Sequence, residues 1–138
     1  MRTYRHIFFD LDRTLWDFDS NSRSALIDIF EKHHLKRFFE SPEPFISGYH
    51  KHNELLWDRY RQGNIKKELL RSLRFDLTLN DVHVNNPVLA REIGEDYLQI
   101  STEKTILFPY THEILAYLKE KYPLYILTNG FRETQFSK

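Results

Sequence analysis

Ile7-Phe8-Phe9-Asp10-Leu11-Asp12-Arg13-Thr14 decides the fold, because an apolar run stops there at two carboxylates and a hydroxyl. Ile7-Phe8-Phe9 reads as a buried strand, with the acids at its carboxyl end. In open α/β folds, ligands bind in the crevice outside the carboxyl ends of the strands. Asp10 and Asp12 are two residues apart, so in an extended segment they point to one side and a cation must offset their repulsion. Far downstream, Leu124-Tyr125-Ile126-Leu127 runs into Thr128-Asn129-Gly130, again an apolar strand ending in a hydroxyl and a tight turn. Together the two stretches point to phosphoryl chemistry.

The region between them is helical. Leu15-Trp16-Asp17-Phe18-Asp19 reads as an aromatic-anchored loop, after which Ser20, Asn21 and Ser22 offer helix N-caps. Ala25, Leu26, Ile29 and Phe30 follow at helical spacing. Ser41-Pro42-Glu43-Pro44 opens a second helix, with proline where its missing amide costs little, and Phe45, Tyr49, Leu56 and Tyr60 line one face. Gly63-Asn64 breaks it, and Ile65, Leu69, Leu70 and Leu73 mark a third, shorter helix. Asn86-Pro87 opens a fourth, carrying Val88, Leu89, Ile93, Tyr97 and Ile100. Thr111 caps a fifth with Ile114, Leu115 and Leu118 inward, and Pro123 stops it just before the second strand. From about Asp19 to Ser101 no strand is expected.

Bulk properties narrow the classes. Lys plus Arg equals Asp plus Glu at 20 each, so no net field favours a nucleic acid polymer or an anionic membrane. The absence of cysteine excludes disulfides, thiolate metal sites and a cysteine nucleophile. No apolar run approaches the roughly 20 residues that span a bilayer, and the N-terminus leads into too short an apolar stretch for a secretory signal. The expectation is a soluble, cytoplasmic protein. His33-His34, His50 and His52 lack the spacing of metal ligands and read as surface histidines. Lys66, Lys67, Arg71 and Arg74 read as a solvated helix face.

Only two strands are visible, and a two-stranded sheet is marginal by itself. The segment Thr134-Gln135-Phe136-Ser137-Lys138 reads as the opening of a further helix, so the expectation is the first part of an α/β protein, with roughly 80 to 100 residues to follow.

These residues carry a resemblance. Asp10-Leu-Asp12-Arg-Thr14-Leu15 is similar to the DxDxT[LV] first motif of the haloacid dehalogenase-like (HAD) hydrolases, and Ile126-Leu127-Thr128-Asn129-Gly130-Phe131 to their second motif. The helical insertion resembles the cap of subfamily I. Leu15-Trp16-Asp17-Phe18, Gly63-Asn64-Ile65-Lys66-Lys67-Glu68-Leu69 and Thr128-Asn129-Gly130-Phe131-Arg132-Glu133-Thr134-Gln135 look like its 5′-nucleotidase-like branch. The implied fold class is α/β: a HAD-like Rossmann-type core of which only the first two strands are present, formed by residues 1–18 and 104–138, with residues 19–103 as an inserted helical cap.

The resemblance also implies roles. Asp10 would be the nucleophile, forming an aspartyl-phosphate, and Asp12 the general acid and base. Haloacid dehalogenases in the strict sense lack an acid at that second position. Asp10 through its carboxylate and Asp12 through its backbone carbonyl would ligate Mg²⁺. Thr128, with the amides of Asn129 and Gly130, would hold the phosphoryl oxygens, and Thr14 would order the turn. Trp16 and Phe18 lie on a loop that could touch substrate, although such aromatics more often pack.

The implied activity is Mg²⁺-dependent hydrolysis of a small-molecule phosphate ester, a nucleoside monophosphate being favoured over the sugar phosphates of a related phosphatase or phosphomutase. A non-catalytic binding module is the alternative from another class. The motifs name neither the exact substrate nor an oligomeric state. The family's third-motif lysine and fourth-motif acids have no counterpart, so the chain as given is expected to turn over little. Lys138 follows Thr128 too soon for the former and reads as a solvated helix residue.

Overall fold

Strand β1 (Ile7–Phe9) pairs in parallel with β2 (Leu124–Ile126), in the register Ile7 with Leu124, Phe8 with Tyr125 and Phe9 with Ile126. Parallel neighbours require a long crossover between them, and here the crossover holds five helices. They are α1 (Phe18–Lys32), α2 (Pro42–Arg61), α3 (Lys67–Asn80), α4 (Pro87–Glu103) and α5 (Thr111–Lys119), with a 3-10 turn at Leu35–Arg37; α6 (Arg132–Ser137) follows β2. This computed structural model describes residues 4–138. It shows a two-stranded parallel sheet accompanied by a large helical block. The chain divides into two compact units, Met1–Ser22 with Thr102–Lys138, and Arg23–Ser101.

The helical unit holds a continuous apolar core. Ala25, Leu26, Ile29 and Phe30 of α1 join Phe45, Ile46 and Tyr49 of α2, Phe75 and Leu79 of α3, and Leu89, Ala90, Ile93 and Tyr97 of α4. Aromatic faces organise it: Phe75 stacks on Tyr49 with centroids 5.1 Å apart and lies 5.6 Å from Tyr97. Such tilted and offset ring pairs add to what area burial contributes. Gly94 lets α4 approach closely, since a Cβ there would lie 3.3 Å from the Arg71 carbonyl. Gly63, at φ +76, turns the chain between α2 and α3 in a conformation that favours glycine.

Several sequence expectations change at this level. His52 is buried at 8% exposure and its Nε2 lies 2.8 Å from Asp81; His33 meets Asp96 at 2.7 Å. Neither is a free surface histidine, because each ring sits between helices with a carboxylate to bond. Arg74 is no solvated residue either. It is 5% exposed, donates to Tyr49 Oη and Asn53 Oδ1, and lies 4.9 Å from the Tyr97 ring centroid.

In the sheet-bearing unit, β1 is not buried: Phe8 is 61% exposed, as each strand has a single neighbour among the described residues. Ile114 is also exposed rather than inward. The helix caps differ as well. Asp17 caps α1, accepting the Ser20 amide at 3.0 Å, which leaves Asn21 free to bond Ile106 through both its amide nitrogen and its oxygen. Tyr110, at φ 66, takes the cap position of α5, and the Thr111 hydroxyl donates instead to the Leu15 carbonyl. Leu15–Asp17 and Ile106–Phe108 form a short antiparallel ribbon through bonds such as Asp17 N–H to Ile106 O.

Candidate active site

The carboxyl ends of β1 and β2 deliver the predicted residues to one place. After β1 the chain folds back at once: the amides of Leu15 and Trp16 both donate to the Leu11 carbonyl, and Arg13 adopts a left-handed φ of 63. Asp10 stays exposed at the strand end, accepting the Thr14 hydroxyl at 3.3 Å. Thr14 thus bonds across the turn to the carboxylate that precedes it. Arg13 turns outward, paired with Asp19 at 2.8 Å and lying over the Phe18 ring.

Asp12 is the better enclosed acid. Lys138 Nζ donates to its Oδ1 at 2.5 Å and Gln135 Nε2 donates to its Oδ2 at 2.9 Å. Lys138 is therefore not a solvated helix residue: its side chain is 6% exposed and its ammonium lies 4.0 Å from the Trp16 ring centroid. Burial pushes the Lys138 ammonium below the usual lysine range, while the hydrogen bond and charge of Asp12 oppose that shift. The repulsion between the paired acids thus finds a cation on the chain itself. Trp16, 3% exposed with its Nε1 donating to the Lys104 carbonyl, packs beneath that ammonium and has little surface to offer a substrate. Phe18 lies edge-on to Trp16 and keeps a partly open face.

On the second strand, the Thr128 hydroxyl accepts from the Gly130 amide at 3.1 Å and from Gln135 Nε2 at 2.6 Å. Asn129 is exposed. Gly130 serves close approach: a Cβ there would fall 2.4 Å from Gln135 Nε2. The structure thus brings together Asp10, Asp12, Thr14, Thr128 and Gly130, and adds Gln135 and Lys138, whose functional placement the sequence reading missed. The signal was present, since residues three apart on a helix share a face and α6 begins directly after the second motif. Among the described residues, no three His, Asp or Glu side chains converge as a metal cage. The exposed Asp10 carboxylate and the neighbouring Asp12 backbone carbonyl are hard oxygen donors, the set suited to a magnesium ion that keeps several waters.

Comparison with known proteins agrees with this geometry. The sequence pattern of the haloacid dehalogenase-like hydrolases matches residues 4–137. A parallel two-stranded sheet with two acids and a threonine at its carboxyl ends, interrupted by a helical block, is the class of protein concerned. The chain belongs to the haloacid dehalogenase-like hydrolase family. It is 25% identical over 138 residues to YfnB of Bacillus subtilis (strain 168), by its name a HAD-hydrolase, and spans 56% of that relative's length. The crystal structure of YfnB, bound to magnesium, superposes with a TM-score of 0.85 at 24% identity, covering 99% of this chain and 58% of that one. The defluorinating L-2-haloacid dehalogenase Rha0230 superposes with a TM-score of 0.74 at 18% identity, covering 99% of this chain and 55% of its own. A 2-haloacid dehalogenase from Pseudomonas syringae pv. Tomato DC3000 gives 0.54 at 22% identity, covering 96% and 58%. These structural likenesses establish the fold.

Proposed function

We propose that this chain carries the nucleophile and acid–base half of a Mg²⁺-dependent phosphomonoesterase, with a nucleoside monophosphate as favoured substrate. The observation that supports this most is Asp12, tied through Gln135 to Thr128 and standing beside the exposed Asp10. A halide leaves carbon without a proton, so dehalogenation gives a second acid no task. An alkoxide leaving from phosphorus needs one.

In this reading an Asp10 carboxylate oxygen attacks phosphorus and the ester P–O bond breaks, its electron pair going to the departing oxygen, which takes a proton from Asp12. Water then attacks the aspartyl-phosphate, Asp12 accepts the proton from water, and phosphate leaves with Asp10 restored. Lys138 donates to Asp12 Oδ1 and so holds in place the side chain that exchanges the proton in both steps. Asp10 and the Asp12 carbonyl would hold Mg²⁺, which when bound supplies charge neutralisation for the transferring phosphoryl group. Thr128 binds a phosphoryl oxygen.

The test sets p-nitrophenyl phosphate against L-2-chloropropionate, each with Mg²⁺ and with chelator, followed by nucleoside monophosphates against sugar phosphates. Slow phosphate-ester hydrolysis that needs Mg²⁺ is the expected result, and Asp10→Asn should abolish it. Chloride release without phosphate release, or turnover retained in Asp10→Asn, overturns the reading.

A further inference from the structure

We infer that Gln135 is a positioning residue that fixes Thr128 as a hydrogen-bond donor to a bound phosphoryl oxygen and locks the orientation of Asp12 with the same amide group. The inference rests on the phosphomonoesterase reading and adds a residue to which no motif assigns a role.

The argument is one of lone pairs and protons. A carboxamide nitrogen has two protons, and Gln135 Nε2 spends one on Asp12 Oδ2 at 2.9 Å and the other on Thr128 Oγ1 at 2.6 Å. The assignment of nitrogen rather than oxygen follows from Asp12, because a carbonyl oxygen against a carboxylate oxygen would set two acceptors face to face. The Thr128 oxygen accepts a second bond from the Gly130 amide at 3.1 Å. Both of its acceptor positions are then filled, so its own proton can only be given away. Among the described residues no acceptor takes that proton, and Thr128 is partly open just beyond β2, following Leu127, whose amide donates to the carbonyl of Phe9, the residue before the exposed Asp10. A hydroxyl held in that polarity suits an anionic oxygen and disfavours a donor such as a neutral alcohol or water proton.

The Gly130 geometry supports the same conclusion from a separate direction. Its missing side chain leaves the space the Gln135 carboxamide occupies, since a Cβ would come within 2.4 to 2.9 Å of three Gln135 atoms. The turn is therefore built around the glutamine. Meanwhile Lys138 holds the other Asp12 oxygen, so rotation of that carboxylate is restrained at both ends.

The experiment has two arms. The first needs no ligand: the Gln135 side-chain amide protons, followed by ¹⁵N-edited NMR in the wild-type chain, should shift in both Asp12→Asn and Thr128→Val. Signals unchanged in both variants overturn the inference whatever the protein's activity. The second arm titrates inorganic phosphate with Mg²⁺ into wild type, Gln135→Leu, Thr128→Val and the double variant, with circular dichroism and thermal melts as fold controls. Gln135→Leu and Thr128→Val should each weaken phosphate by about tenfold, and the double variant should be no weaker than Thr128→Val alone. Gln135→Glu, similar in size but carrying a carboxylate toward Asp12, should be at least as weak as Gln135→Leu. Penalties that multiply in the double variant, or phosphate affinity unchanged in Gln135→Leu, overturn the inference and leave the function reading standing. Wild type without affinity for phosphate overturns the function reading itself, and the first arm then still reports on the clasp.

Discussion

Arg74 shows how a single side chain can be held in the interior without an opposite charge. Its Nη1 donates to Tyr49 Oη at 3.2 Å and to Asn53 Oδ1 at 3.1 Å, its Nε has no partner among the described residues, and three aromatic rings surround it within 5.5 Å. Neutral acceptors and ring faces together offset a desolvation cost of several kcal/mol. Replacing the cation by an apolar chain of similar volume removes that cost. Arg74→Met is therefore expected to leave thermal stability unchanged or raised, whereas Arg74→Ala should lose about 2–4 kcal/mol by opening a cavity. Denaturant melts of the two variants check this, and a Met variant as unstable as the Ala variant would show that the charge itself is needed. Asp12 is the contrasting case, since there the cation is supplied by Lys138.

At the scale of elements, α1 is tied at both ends by carboxylates. At its start, the Ser20 amide and hydroxyl hold Asp17 below the usual carboxylate range. At its end, Lys32 and His33 meet Asp96 of α4 at 2.7 Å each. Burial raises the Asp96 pKa, but the hydrogen bonds from Lys32 and His33 outweigh it, and the net direction is down. A carboxyl with a lowered folded pKa contributes stability above its unfolded value, near 3.8, and loses it as pH falls through the folded value. Acid titration followed by far-ultraviolet circular dichroism should show the helical signal weakening below about pH 4. Asp96→Asn should remove part of that dependence while lowering stability at neutral pH. An unchanged acid profile in the variant would place the sensitivity elsewhere.

For the molecule as a whole, the two units differ in how much apolar surface each has buried. The helical unit encloses Leu26, Ile29, Phe45, Tyr49, Phe75, Leu79 and Ile93 at 0% exposure. The sheet-bearing unit leaves Phe8, Ile126, Leu127 and Phe136 more than half exposed. Stability within a structure follows local burial, so hydrogen exchange should be slowest in α2 and α3 and faster by about tenfold or more at the amides pairing β1 with β2. Equal protection across both units would refute that ordering.

Much of this architecture was legible in the sequence. Period-3.6 apolar spacing located α1 to α4, Pro42 and Pro87 marked the starts of two of them, and short apolar runs located both strands. Asp10, Asp12 and Thr128 stood out because acids and hydroxyls at strand ends are conspicuous in any reading. The burial of His52 and Arg74 was not legible, since spacing along one helix says nothing of what the facing helix supplies. Nor was the capping of α1 by Asp17, where three neighbouring side chains of similar chemistry competed for the position. The sequence by itself determined the element order, the family and the pair of acids, because these depend on residues close in the chain. Only the tertiary structure decided that Gln135 joins the two motifs and that Lys138 neutralises Asp12. The physical reason is that both contacts exist only once parallel pairing of β1 with β2 brings residues more than a hundred positions apart within hydrogen-bonding distance.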